Sequence, residues 1–211
     1  GYHITELDGT GSCFNDDANT WAASKQRVSP IYTTCLGADL VGGYGVLGTS
    51  TAPYASGEYF YKSYSDLPPH NYVRFSFSLW VIDTWDQFGS DSTTHMDAFL
   101  VGLDGLSVYG QSYYAQAWIT DPNYCGMSRA DIPNVQIFGM APHQASTLLL
   151  KMISDLNEIS TNESFGFRDL ILLFDRNPPP EPQTASICGV SGKPSSINEC
   201  RCPKGQYYTG S

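Results

Sequence analysis

The chain has 211 residues and a formal net charge of −10, with 21 acidic side chains against 11 lysines and arginines. This balance argues against binding to a nucleic-acid backbone, because there is no basic surplus to displace counterions. No apolar run approaches the ~18 residues that a membrane-spanning helix needs. The 14 tyrosines and 20 glycines, with few lysines, favour pleated strands and tight turns over helices.

Strand patterns dominate the chain from residue 57 to residue 120. Residues 58–64 carry closely spaced aromatic side chains and end at the turn 66–70, which contains two adjacent prolines. Residues 72–83 alternate apolar side chains with Arg and Ser, the period of two that strands show. Further strands are predicted at 98–103, 106–109 (after the hairpin turn Asp104-Gly105), 135–140, 148–153 and 169–175.

A helix is an alternative for residues 146–157, because Leu149, Met152 and Ile153 would share one helical face. Short strands separated by regular turn signals are nevertheless typical of sandwiches and jelly rolls. We therefore predict an all-β fold, an antiparallel β-sandwich of jelly-roll type, for residues 1–176. Glycines 42, 43 and 45 favour a turn or a bulge over a phosphate-binding loop, since no helix pattern follows them.

The composition changes at Asn177. Residues 178–182 read PPPEP, which must be extended and cannot lie inside a sheet. Half of the cysteines follow in a stretch rich in Gly, Ser and Pro. We predict a domain boundary here, with residues 177–211 as a Pro-rich linker and the start of a disulfide-rich, EGF-like module of a longer parent protein.

The cysteines indicate an oxidising compartment. There are 6 of them and none forms a CxxC pair, which argues against zinc knuckles and thioredoxin-like sites. An even, widely spread number is typical of disulfides in extracellular proteins. We prefer a Cys13–Cys35 bridge and at least one bridge within the tail, and the count leaves other pairings open. The sequon at Asn162 predicts glycosylation. The predicted disulfide-forming residues are Cys13, Cys35, Cys125, Cys188, Cys200 and Cys202.

No pattern in the chain indicates catalysis. There is no GxSxG elbow and no GxxxxGK[ST] loop. The histidines at 3, 70, 95 and 143 are scattered, and turn or surface positions explain them better than a zinc site. We therefore predict that the chain is not an enzyme and needs no organic cofactor.

Carboxylates cluster in the connections between strands, and this pattern predicts calcium. Asp83 ends the strand 72–83, Asp86 and Asp91 follow it, and Asp97 opens the next strand. Ca²⁺ takes its oxygen ligands from such loops, although a solvated acidic loop would look the same. Counting by twos places Asp83 on the core face of its strand, where a carboxylate needs a partner. A second ion could be shared by Asp16, Asp17, Glu163 and Asp169 if the first and last strands are neighbours, and ordinary turn chemistry is the alternative.

Several aromatic residues lie in or near predicted loops. Exposed rings with Asn and Asp neighbours stack on sugars or anchor a partner, whereas buried rings belong to the core of the sandwich. The ligand-binding candidates are Trp85, Tyr113, Tyr114 and Trp118.

Three segments together resemble a known module. They are LPPHNYVRFSFSLWVIDTWD at 67–86, DAFLVGLDG at 97–105 and ESFGFRDL at 163–170. They resemble a jelly-roll module of large secreted or surface proteins of protists, especially ciliates, and of some exported bacterial proteins. Galactose-binding-like and MAM-like sandwiches end in a similar way. The resemblance covers residues 40–175, departs in the longer loop 87–96, and implies a jelly-roll fold outside the cell with cysteine-rich repeats after it.

These patterns favour an extracellular, non-enzymatic binding or adhesion module, stabilised by calcium and able to bind carbohydrate. Its partner would be a glycan or a protein at the cell surface. One alternative is a structural subunit of a filament or cell coat that binds copies of itself, which low charge and abundant tyrosine also suit. A glycan-active enzyme is a second alternative.

Overall fold

A computed structural model describes residues 3–7, 11–15, 21–25, 31–47, 58–85, 97–113, 115, 123–127, 130–156 and 158–177, the first two segments as backbone only. The regular structure within these residues consists of β-strands. They are β1 (His3–Leu7), β2 (Gly11–Asn15), β3 (Ala22–Ala23), β4 (Tyr32–Cys35), β5 (Ala38–Gly42), β6 (Glu58–Tyr64), β7 (Tyr72–Asp83), β8 (Ala98–Leu103), β9 (Leu106–Ser112), β10 (Ile132–Pro142), β11 (Leu148–Ser154) and β12 (Glu163–Asp175). None of the described residues belongs to a helix long and apolar enough to cross a membrane.

The strands form two antiparallel sheets, so the predicted jelly-roll sandwich is confirmed. In the described residues the larger sheet has seven strands and the smaller has five, in the order β3-β6-β11-β8-β9. In the larger sheet β12 pairs along one side with β7, which is followed by β10. Along its other side β12 pairs with β5 near its start and with β2 near its end. The second strand, β2, is thus a neighbour of the last strand, β12, and β1 lies on the far side of β2.

Aromatic side chains from both sheets meet in the core. Phe165 of β12 packs edge-on against Phe60 of β6, with the ring centroids 5.3 Å apart, and against Phe99 of β8 at 5.4 Å. Phe77 of β7 contacts Phe99 at 5.7 Å. Since these rings are buried, burial of apolar surface between the sheets is the main force that holds them together.

The strongest patterns in the sequence are found as predicted. β7 and β8 have the predicted bounds, and the alternating residues Val73, Phe75, Phe77 and Leu79 all lie in the core. Residues 148–154 form strand β11, so the helical alternative is wrong. The predicted hairpin turn at Asp104-Gly105 is confirmed, with both residues at positive φ. This conformation suits the twist of a hairpin, and aspartate tolerates it better than most residues.

A bulge divides β12 into two halves. Its register against β7 shifts between Arg168 and Ile171, and Asp169 has a φ of +55°. Phe165 and Phe167 face the core before the bulge, and the even-numbered Leu170, Leu172 and Phe174 face it afterwards. Because the bulge adds one residue, odd-numbered side chains are buried before it and even-numbered side chains after it. The bulge lies where the neighbour of β12 changes from β5 to β2.

The preferred Cys13–Cys35 pairing is wrong. Cys35 is bonded to Cys125, with a Cα–Cα distance of 5.5 Å. Cys13 lies on β2 opposite Leu173, near the end of β12, whereas Cys35 lies on β4, which β5 separates from the start of β12. The disulfide belongs to a small apolar cluster on the outer face of the larger sheet. Its buried members are Cys35, Leu40, Trp80 and Ile82, and Cys125 packs against them.

The other predicted cysteines and the C-terminal module lie outside the described side chains. These are Cys13 as a side chain, and Cys188, Cys200 and Cys202 with the whole of residues 178–211. The described part of the sandwich ends shortly after β12, so the boundary near residue 177 stays a prediction.

Candidate functional site

Two regions of the sandwich carry candidate site residues. The first is the predicted calcium region at the end of β7. Asp83 ends β7 opposite Glu163, the first residue of β12, and Asp97 directly precedes β8. All three side chains are fully buried, at 0% exposure. Asp86 and Asp91, the other predicted ligands, lie outside the described residues.

Asp83 does not continue the core face of its strand as the sequence predicted. Its φ of +63° ends the alternation. Its carboxylate instead accepts a hydrogen bond from the backbone N–H of Met127 at 3.3 Å. Gly126 leaves room for this contact, because a Cβ there would be 2.3 Å from Asp83 Oδ2. The Asp83 carboxylate is therefore directed to the loop that contains Cys125.

A buried carboxylate that the sequence analysis missed organises the same loop. Asp131 is 4% exposed and accepts three backbone N–H bonds, from Asp83 at 2.8 Å, Tyr124 at 2.7 Å and Cys125 at 2.8 Å. Burial raises the pKa of the Asp131 carboxyl, and the three hydrogen bonds oppose that shift. Asp131 thus joins the end of β7 to the disulfide loop.

The second predicted calcium set is not brought together. Glu163 and Asp169 are both on β12, separated by about 20 Å at the ~3.3 Å rise per residue of a strand. Glu163 is buried and accepts from the Glu158 N–H, whereas Asp169 pairs with Arg168, so these two cannot share one ion. Asp16 and Asp17 lie outside the described residues. In the described part of the chain, no group of three His, Cys, Asp or Glu side chains is arranged to hold a metal.

The predicted aromatic ligand contacts are also revised. Trp85 is wrong as a ligand contact, because it is fully buried and its Nε1–H donates to Ser164 O at 2.9 Å. Tyr113 packs edge-on against Trp85, and its hydroxyl hydrogen-bonds to that of Tyr109 at 2.9 Å. Burial raises the pKa of the Tyr113 hydroxyl, so it stays protonated. Tyr114 and Trp118 lie outside the described residues.

The sequon residue Asn162 is half-buried in the turn that precedes β12. Its carbonyl accepts hydrogen bonds from the N–H and the hydroxyl of Thr84. Glu163 and Ser164, the rest of the sequon, are fully buried. Glycosylation at Asn162 stays a prediction.

The second region is a cleft beside the bulge of β12. β5 pairs with β12 at Gly166 and Phe167, and β2 pairs with it from Ile171 onward. Between these pairings the side of β12 opens into a cleft of about 150 Å³. We call it the Trp21 cleft; its lining residues are Trp21, Asp39, Val41, Phe167, Arg168, Asp169 and Leu170.

The Trp21 cleft has an apolar floor and a charged rim. Trp21 is 6% exposed and packs edge-on against Phe167, with the ring centroids 4.8 Å apart. On the rim, Arg168 Nε donates to Asp169 Oδ2 at 2.9 Å. Asp39 is exposed on the opposite strand and accepts from the Thr34 hydroxyl at 3.0 Å. Both Arg168 and Asp169 are partly exposed, so they have hydrogen-bonding capacity left for a ligand.

Of the rim residues, only Asp169 was predicted as a site residue, and it was predicted as a calcium ligand. One signal could have located the cleft. The adjacent charges Arg168-Asp169 interrupt an otherwise apolar strand, and the buried parity changes across them. Such a change indicates a bulge, and bulges are frequent next to binding sites.

No protein-family model matches the chain. The search of curated proteins gave no match either. Similar solved structures include the C-terminal CBM6 of LamC, a marine laminarinase from Zobellia galactanivorans, with 11% identity, a TM-score of 0.41, and coverage of 77% of this chain and 99% of that one.

Two further similar structures have comparable scores. The EclA C-terminal domain, a sugar-binding protein, has 12% identity, a TM-score of 0.35, and coverage of 60% of this chain and 82% of that one. A catalytic domain of GH87 alpha-1,3-glucanase in complex with nigerose has 14% identity and a TM-score of 0.36. The match covers 86% of this chain and 30% of the glucanase chain. Identities of 11–14% and TM-scores of 0.35–0.41 identify no binding residue in this chain, so the candidate site rests on the chain's own residues.

Proposed function

We propose that the chain is an extracellular, non-enzymatic module that binds carbohydrate in the Trp21 cleft. The observation that carries this proposal is the combination of a Trp–Phe floor with three charged hydrogen-bonding groups around it. Sugars present apolar C–H faces and a ring of hydroxyls. A site with an aromatic floor and a few placed polar groups complements both features.

The charges of the rim indicate the class of sugar. Asp39 and Asp169 carry two negative charges against the one positive charge of Arg168. A carboxylated or sulfated sugar would meet a net negative rim, and like charges oppose binding. The volume is also well below the ~300 Å³ at the lower end of drug-sized pockets. We infer that the cleft accepts one ring of a neutral glycan rather than a long segment.

The Cys35–Cys125 disulfide supports the extracellular part of the proposal. Disulfides persist in oxidising compartments and are rare in the cytosol. The formal charge of −10 adds solubility without an affinity for nucleic acids.

A glycan array probed with the purified chain tests this function. We expect a monodisperse protein that is retained on neutral glycans, is not retained on acidic ones, and leaves each glycan intact. Polymerisation that rises with protein concentration, without retention, would favour the structural-subunit alternative. Hydrolysis of any retained glycan would overturn the non-enzymatic assignment.

We also propose that Ca²⁺ stabilises the region at the end of β7. The support is chemical, since Asp83, Asp97 and Glu163 are fully buried oxygen donors, and Asp83 and Asp97 precede and follow Asp86 in the sequence. An ion that binds only the folded chain stabilises it by about 2.7 kcal/mol at a hundredfold excess over its Kd. We expect the wild-type melting temperature to rise in calcium and to fall again when chelator is added.

The matched variant for the calcium experiment is Asp86→Ala. Substituting a fully buried carboxylate such as Asp97 would change stability whether or not an ion binds, so it is a poorer choice. We expect Asp86→Ala to lose most of the calcium-dependent shift, with magnesium as the ionic-strength control. Identical melting temperatures of the wild type in calcium and in chelator would overturn the calcium site.

A further inference from the structure

Two histidines and an aspartate form a continuous hydrogen-bonded chain at one end of the sandwich. His70 Nδ1 lies 2.6 Å from Pro68 O, and His70 Nε2 lies 2.6 Å from His143 Nδ1. His143 Nε2 lies 2.8 Å from Asp104 Oδ2. The other oxygen, Asp104 Oδ1, accepts the N–H of Leu149 at 2.7 Å. All four ring nitrogens are therefore engaged.

This hydrogen-bonded chain joins three connections between strands, and these strands include members of both sheets. His70 lies between β6 and β7, His143 directly follows β10, and Asp104 is in the β8–β9 turn. His70 also packs against Phe174 of β12, with the ring centroids 4.9 Å apart. The His70 residue is 6% exposed and the His143 side chain 7%. The Asp104 side chain, in contrast, is 44% exposed, so water has little access to the contact between the two imidazoles but reaches the Asp104 end.

The hydrogen-bond partners of the two imidazoles fix the number of hydrogens that the three contacts need. A carbonyl oxygen can only accept, so His70 Nδ1 carries a hydrogen. One hydrogen is needed between His70 Nε2 and His143 Nδ1. An ionised Asp104 can only accept, so His143 Nε2 carries a hydrogen as well. These three contacts need three hydrogens, whereas two neutral imidazoles supply two.

We infer that His70 and His143 share one positive charge, balanced by Asp104, and act as a protonation-dependent clamp between the two sheets. Losing the shared proton would set two lone pairs against each other at one of the three contacts. The clamp is therefore complete only with the proton bound.

The neighbouring charges have other partners. Asp175 on β12 pairs with Arg74 on β7. Arg176 donates to Pro69 O at 3.4 Å. Asp104 is thus the carboxylate bonded to the histidine pair. Burial lowers the pKa of His70, with the nearby His143 acting in the same direction. Both effects oppose a second proton on the pair.

The direction of the pH effect follows from linkage. The clamp requires that the three contacts retain the shared proton above about pH 6.5, where an imidazole of the unfolded chain has released it, so that stability falls as pH rises. Below that pH the unfolded chain binds a second proton that His70, with its lowered pKa, resists in the folded state. Stability then falls as pH falls. The clamp predicts a stability maximum near neutral to mildly acidic pH.

Asp104→Asn tests the clamp sharply. The Leu149 N–H keeps an oxygen at the Oδ1 position, so the amide nitrogen takes the place of Oδ2 and donates to His143 Nε2. His143 Nε2 must then accept the hydrogen of the substituted amide. The two hydrogens of two neutral imidazoles are enough for the remaining two contacts, His143 Nδ1 with His70 Nε2 and His70 Nδ1 with Pro68 O. Asparagine also tolerates the φ of +49° found at this position. The variant should therefore fold and no longer need the third proton.

The measurement is ¹⁵N NMR of the histidine rings in the folded protein from pH 5 to 9, with thermal unfolding at each pH. We expect the wild-type pair to lose its extra proton at least about one pH unit higher than in Asp104→Asn, a tenfold difference in proton affinity. The alkaline fall in melting temperature should disappear in the variant. Asp66→Asn is the control, because Asp66 also has positive φ but contacts Ser65. Coinciding titrations of wild type and Asp104→Asn, or a neutral wild-type pair at pH 6, would overturn the clamp.

Discussion

Replacing Cys35 and Cys125 together by alanine is expected to lower the free energy of unfolding by about 4 kcal/mol. The disulfide joins residues 90 positions apart, and a cross-link over so long a loop removes much conformational entropy from the unfolded chain. Cys35 is also 3% exposed within the cluster of Trp80 and Ile82, so the substitution leaves a void there as well.

Urea unfolding of the double variant and the wild type measures this loss. Neither cysteine belongs to the core between the two sheets, so we expect that core to be retained in the variant at low denaturant. A loss below about 1 kcal/mol would mean that the bridge does not constrain the unfolded chain as its span requires.

The second large effect is expected at Asp131. Asp131→Ala removes the acceptor of three backbone N–H groups at once, in a residue that is 4% exposed. Buried donors left without an acceptor cost about 1–3 kcal/mol each. We expect a total loss of about 4 kcal/mol, measured by urea unfolding.

Asp131→Asn is the graded control, because asparagine keeps one acceptor oxygen but faces the remaining N–H groups with an amide. We expect its loss to lie between the wild type and Asp131→Ala. Equal stability of all three proteins would contradict the role of Asp131. Asp131 accepts the N–H of Cys125, so the two sites are coupled. The losses of unfolding free energy caused by Asp131→Ala and by removal of the disulfide should therefore not be additive.

The sequence predicts those strands whose pattern is local. In β7, apolar and polar residues alternate over the seven positions 73–79, and proline-rich residues precede it, so its bounds could be read directly. β8 ends at Asp104-Gly105, a dipeptide that favours the hairpin turn observed. The strands before residue 58 were not predicted, because β3, β4 and β5 are short and lack a sustained alternation.

The features that depend on pairing between distant segments could not be predicted. The Trp21 cleft exists because β5 pairs with β12 before the bulge and β2 pairs with it after the bulge. No local pattern in the sequence predicts these pairings. Asp83 was expected to face the core by parity, but its positive φ directs it to the loop of Cys125. The partner of Cys35 likewise depends on which strands lie between the cysteines, so counting could not identify it.

Calorimetric titration of a neutral oligosaccharide into the wild type, Asp39→Asn, Asp169→Asn and Asp66→Asn tests most directly whether the Trp21 cleft is the binding site. Asparagine keeps the shape of each side chain and tolerates the positive φ of Asp169, so the fold of the cleft is preserved. We predict that both cleft variants bind about tenfold more weakly, a loss of about 1.4 kcal/mol, while Asp66→Asn binds as the wild type does. Equal affinity of all four proteins for a sugar that they do bind would contradict the assignment.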